Sequence, residues 1–157
     1  MLKRMFCGCL FGSPTPSNNP ALNPLKSQTN SPTKSIPFIP PITEGQVINV
    51  YDGDTITIVS KLPYDASPLY RFQVRLAGID CAEIKGKTER ERELAQEAKC
   101  ALQKLILNKV VVLKNLKTEK YGRVLADVYL GDLHVNQWLL DNKYAVQYAG
   151  GTKTNWV

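Results

Sequence analysis

The sequence is poor in the residues that build soft-metal and disulfide chemistry. Its 157 residues include one histidine, His134, and four cysteines, none of them at a spacing that would hold zinc. Four cysteines could form two bridges, but a chain long enough for its own core does not need them, and a reducing compartment is expected. Cys100 falls within a helical pattern and reads as a small buried apolar residue. No stretch approaches the roughly 20 apolar residues that cross a bilayer. Acids are missing from residues 1–43, which carry Lys3, Arg4, Lys26 and Lys34. The remaining 16 basic and 14 acidic residues nearly balance. The basic pI therefore comes mostly from this first stretch and is no argument for nucleic-acid binding, although a local cationic cleft stays compatible with it.

Proline is scarce from residue 42 onward, where only Pro63 and Pro68 occur; the other eight lie before it among Ser, Thr and Asn. Such a segment cannot bury enough apolar surface to offset its ordering entropy, so residues 1–43 are expected to be a disordered tail and 44–157 the folded domain. The tail opens Met1-Leu2-Lys3-Arg4-Met5-Phe6-Cys7-Gly8-Cys9-Leu10-Phe11. Its apolar patch of about seven residues is short for a secretion signal, and no clear cleavage site follows. Cys7 and Cys9 suit S-acylation instead, where two lipids anchor a chain stably and one does not. The expected location is cytoplasmic, with membrane association through those cysteines; secretion and an inert start are the alternatives.

Strand patterns follow at Val47–Val50, Thr55–Ser60 and Tyr70–Ile79, the last with Phe72, Val74 and Leu76 on one face. Thr88-Glu89-Arg90-Glu91 fits a capping box. Leu94, Ala98, Ala101, Leu102, Leu105 and Ile106 then recur at helical spacing to about Leu107. Val110–Leu116 and Val124–Leu130 read as strands, Asn136–Asn142 as a short helix and Tyr144–Tyr148 as a last extended piece. This order predicts a mainly β, α+β domain: a five-stranded, partly open OB-fold barrel with attached helices.

Charged groups concentrate in three segments. Asp52-Gly53-Asp54-Thr55 comes first, then Val74-Arg75-Leu76-Ala77-Gly78-Ile79-Asp80-Cys81-Ala82-Glu83, then Lys120-Tyr121-Gly122-Arg123. Carboxylates gather hard cations and arginines grip phosphate with paired hydrogen bonds, so the combination suits a metal and a phosphodiester together. A lone Asp-Gly-Asp is an ordinary turn. In this order and spacing, however, the three segments resemble the signature of the staphylococcal nuclease (thermonuclease) family over about residues 44–148.

The resemblance implies a Ca²⁺-dependent nuclease that hydrolyses DNA or RNA and leaves 3′-phosphate ends. Asp54 and Asp80 would be direct metal ligands together with the backbone carbonyl of Cys81, and Asp52 and Thr55 would support them. Glu83 would serve the attacking water, Arg75 and Arg123 would clamp the phosphate, and Lys120 and Tyr121 would contact a terminal phosphate. Tyr148 is the nearest candidate for a nucleotide-contacting tyrosine, with Tyr144 as its alternative. A monomer is expected. Two departures stand out: Ala82 replaces the proline usual before the glutamate, and the family's last helix has no counterpart before Val157. Nuclease-like domains that have lost their catalytic positions and bind nucleic acid or protein are the alternative, against which the filled acidic and arginine positions argue.

Overall fold

The computed structural model describes residues 36–119, 121–151 and 156. Cys7, Cys9, most of the predicted tail and Lys120 lie outside the described residues.

Alternating apolar residues turn the predicted strands into a barrel. β1 (Glu44–Val50), β2 (Thr55–Lys61) and β3 (Leu69–Leu76) form an antiparallel meander; β5 (Val110–Thr118) pairs with β1, and β6 (Val124–Leu130) pairs with β5. Parallel pairing of β6 with β3, from Val74↔Val124 to Leu76↔Ala126, closes the five strands into the OB-type barrel. The inward face carries Val47, Ile56, Ile58, Val74, Leu76, Val111 and Val128, all fully buried. Ile42, just ahead of β1, joins the same core.

α1 (Glu89–Ile106) covers the barrel with Ala95, Ala98, Leu102 and Ile106. Thr88 caps it, accepting from the Glu91 amide at 3.1 Å, while the Glu91 carboxylate reaches back to the Lys87 amide at 2.9 Å. The helix ends where Asn108 takes a left-handed φ of 62°. α2 (Val135–Asp141) follows a two-residue β7 (Leu133–His134) and inserts Val135 and Leu139 into the core. Its buried Asn136 amide accepts from the Val128 N–H at 3.0 Å and donates to the Ala77 carbonyl at 2.9 Å. Those bonds tie the helix to the junction where β3 and β6 close the barrel.

β4 (Ile79–Asp80) and β8 (Val146–Gln147) form a separate two-residue ladder. The extended region predicted through Ile79 is therefore split after Leu76, with Gly78 at a φ of 75° making the turn. Cys100 is half-buried rather than buried, with the Gln96 amide 3.4 Å from its sulfur. Among the described residues no helix is long and apolar enough to cross a membrane.

Candidate active site

The three charged segments meet at one end of the barrel, and strand register brings them together. The β1–β2 turn is closed by the Tyr51 and Asp52 amides, which both donate to the Thr55 carbonyl, at 2.9 and 3.4 Å. Thr55 pairs across the sheet with Arg75, and the Leu76 amide donates to the Asp54 carbonyl at 2.8 Å, so the acidic turn lies against the end of β3. Gly53 makes this approach feasible: a Cβ there would stand 2.8 Å from the Cys81 sulfur and 2.9 Å from the Ala98 Cβ. The turn thus packs against both the Asp80 segment and α1.

Arg75 is the centre of the arrangement. Its Nη1 donates to Asp54 Oδ2, and its Nη2 donates to Asp80 Oδ1 at 3.1 Å and to the Ile79 carbonyl at 3.3 Å. Two carboxylates 26 positions apart in the chain therefore share one buried guanidinium. The Thr55 hydroxyl donates to Asp54 Oδ1 at 2.8 Å, and the Asp54 amide donates to Asp52 Oδ1 at 3.3 Å. Burial, and next the charge of Asp52, outweigh the pull of Arg75 and raise the Asp54 carboxyl to about 6. Burial opposes the charge on Arg75, but Asp54 and Asp80 overcome it and raise its pKa. The Cys81 thiol is pushed up by burial and then by the surrounding aspartates, so it is neutral and a poor nucleophile.

Arg123 stands on the far side. The tight 119–123 turn, with the Gly122 amide on the Glu119 carbonyl and the Glu119 amide on the Arg123 carbonyl, presents it beside the cleft. Glu119 holds its Nε and Nη2 in a two-pronged pair at 2.6 and 2.7 Å, and that bond, more than any other effect, raises its pKa. Nη1 reaches the Thr55 hydroxyl at 3.5 Å, linking the second arginine to the acidic turn.

An open cleft of about 710 Å³ spans these groups. Asp52, Asp54, Arg75, Cys81, Glu83, Tyr121, Arg123 and Tyr148 all line it. Asp80 and Thr55 are buried beneath it, and Glu83 is exposed, just past the buried pair Cys81 and Ala82. The Tyr148 hydroxyl donates to the Gly151 carbonyl at 2.9 Å. Tyr144 lies elsewhere, packed on Trp138 at a 5.8 Å ring separation. Six lining residues were not anticipated from the sequence: Tyr51, Gln73, Ile84, Lys85, Glu119 and Gly151. Glu119 had a signal, an acid four positions before an arginine across a glycine turn. The other five are set by strand register and loop path.

The donor set suits a hard divalent cation. Asp54 and Asp80 are hard oxygen donors sharing one guanidinium, with Asp52 beside them accepting from the Asp54 amide. Among the described residues no three carboxylate, imidazole or thiol groups converge as a ready cage. Such a cation would therefore complete its shell with backbone and water oxygens, as loose hard-ion sites do.

The closed OB-type barrel thus places buried acids and two arginines at one cleft. Residues 73–155 match the family described as staphylococcal nuclease homologue, and the chain belongs to that family. It is similar to Endonuclease Htp3 of Saprolegnia parasitica, 32% identical over an alignment of 117 residues that covers 66% of this chain and 55% of that protein. It also resembles an uncharacterized endonuclease of Escherichia coli, 30% identical over 61% of this chain and 55% of the other. A third similar protein is an uncharacterized protein of Bacillus anthracis, 29% identical over 66% of this chain and 46% of its own length. The chain thus spans about half the length of these relatives. The family match begins at Gln73, so Asp52, Asp54 and Thr55 precede it and join the site through the β2–β3 register.

Proposed function

We propose that this chain is a metal-dependent nuclease that hydrolyses phosphodiester bonds in DNA or RNA, with Ca²⁺ as its cation. The observation that carries this reading is the sharing of Arg75 by Asp54 and Asp80 at the floor of a cleft that also holds Glu83 and Arg123. Asp54, Asp80 and the Cys81 carbonyl would hold the ion, with Asp52 and Thr55 orienting Asp54. When bound, it would supply Lewis-acid neutralisation of a phosphate oxygen.

The chain's own residues account for the rest. A guanidinium stays charged at any working pH and offers a planar fork of donors, so Arg75 and Arg123 suit the charge that builds on the phosphoryl oxygens. Glu83, the exposed carboxylate in the cleft, takes or directs the proton of the attacking water. The water oxygen bonds to phosphorus, the P–O5′ bond breaks, and the departing O5′ takes a proton from solvent. A 3′-phosphate and a 5′-hydroxyl result. Tyr121 and Tyr148 offer aromatic faces at the cleft, which suits generic base contact over sequence reading.

The test is cleavage of single-stranded DNA, duplex DNA and RNA in Ca²⁺, Mg²⁺ or excess chelator, with the product ends identified. Cleavage in Ca²⁺ that stops in chelator and in Asp54→Ala, with 3′-phosphate ends, is expected. Undiminished cleavage in chelator would refute the metal role, and tight binding without turnover would make the domain a binding module.

A further inference from the structure

We propose that Glu119 is a positioning residue for phosphodiester cleavage: its carboxylate fixes the orientation of Arg123 and turns the end of that guanidinium toward the acidic turn. This rests on the nuclease reading and adds to it the residue that aims one of its two arginines. Glu119 Oε2 accepts from Arg123 Nε at 2.6 Å, and Oε1 accepts from Nη2 at 2.7 Å. A guanidinium has two edges suited to paired bonds, one made by Nε with an Nη and one by the two Nη nitrogens. Glu119 takes the first. The second keeps both Nη1 protons, and Nη1 lies 3.5 Å from the Thr55 hydroxyl, which itself donates to Asp54. Arg123 is thereby held with its remaining donors on the side of the cleft where Arg75 binds Asp54.

The ion pair is not needed to close the turn. The Glu119 amide donates to the Arg123 carbonyl and the Gly122 amide to the Glu119 carbonyl, both at 2.9 Å, and Gly122 supplies a left-handed φ of 79°. The base of the hairpin is held from its other side as well. The Leu113 amide donates to the Thr43 carbonyl at 2.7 Å and the Thr118 hydroxyl to the Phe38 carbonyl at 3.3 Å, continuing along β5 the offset at which Glu44 pairs with Val112. Backbone contacts thus fix where positions 119 and 123 stand, and the Glu119 carboxylate is left to act on the arginine. It also lines the cleft, where its negative charge opposes a phosphate. What it supplies is therefore geometry and not attraction: a long, rotamer-rich arginine gives up its freedom before substrate arrives. The pair is mostly shielded, its side chains 24% and 20% exposed, so solvent competes for it less than for a surface pair.

The experiment measures hydrolysis of a short single-stranded DNA in Ca²⁺ by the full chain as wild type, Glu119→Gln, Arg123→Ala and the double variant. Glu119→Gln keeps the side chain's size but loses its charge and one of its two acceptor oxygens. Its kcat should fall about 10- to 100-fold, the scale of a catalytic group misplaced by about an ångström. KM should stay level or drop, because a like charge has left the cleft. In the Arg123→Ala background the same substitution should change kcat by less than about 2-fold, since nothing remains to be aimed. Glu119→Asp keeps both oxygens and should recover part of the rate. A second readout needs no turnover: the Arg123 Nε–H signal in ¹⁵N NMR, identified by its loss in Arg123→Ala, should exchange slowly with solvent in the wild type and rapidly in Glu119→Gln. An unchanged or raised kcat in Glu119→Gln would overturn the proposal, as would an equal loss in both backgrounds or an Nε–H signal indifferent to the substitution. A wild type without hydrolysis whose Nε–H signal still depends on Glu119 would instead refute the nuclease reading and leave the aiming of Arg123 standing.

Discussion

Arg75 serves two carboxylates at once, and its geometry explains why lysine could not replace it. The fork sends Nη1 to Asp54 and Nη2 to Asp80 and the Ile79 carbonyl. An ammonium has charge but no planar fork. Arg75→Lys is expected to lower kcat by about 10²- to 10³-fold, the usual effect of losing one preorganised donor; steady-state cleavage of a single-stranded oligonucleotide checks it. Asp54 makes a different prediction. Its carboxyl titrates at about 6 in the fold against an ordinary 3.8. Between those values the metal-free folded state binds more protons than the unfolded chain, so stability falls as pH rises through that window. Asp54→Asn has no charge to bury and should lack this decline. From pH 4 to pH 7 the wild type should lose on the order of 2 kcal/mol relative to Asp54→Asn, read by denaturant unfolding in chelator.

At the level of elements, the site depends on two junctions. Gly53 lets the acidic turn approach Cys81 and α1, and Asn136 fastens α2 to the closure of β3 and β6. Asn136→Ala would leave the buried Val128 amide and the part-buried Ala77 carbonyl without this partner. A loss of about 2–4 kcal/mol is expected for the two bonds, measured as a shift in the urea midpoint. The main strands and both helices were legible because alternation and the 3.6-residue period are strong over seven or more residues. The short pieces were not: β4 and β7 have two residues each and carry no period. The bulge in β5, where Asn115 takes a φ of 53° and the pairing with β6 shifts, was likewise hidden, since a bulge depends on its partner strand.

On the scale of the whole molecule, the barrel brings acids of the β1–β2 turn and of β4 onto one arginine of β3, so the proposed cation would bind only the folded chain. An ion held only by the folded arrangement adds stability by mass action, about 2.7 kcal/mol at a hundredfold excess over Kd. Ca²⁺ should therefore raise Tm by several degrees in the wild type and leave Asp54→Ala unmoved; a thermal melt with and without chelator reads the difference. By itself the sequence determined which residues carry charge, which positions face the core and which segments resemble a nuclease, because composition and period are local properties. It did not contain the closure through β6 or the meeting of Asp54 and Asp80 on Arg75. Those were decided by strand register, which selects partners far apart in the chain and becomes definite only once the barrel shuts.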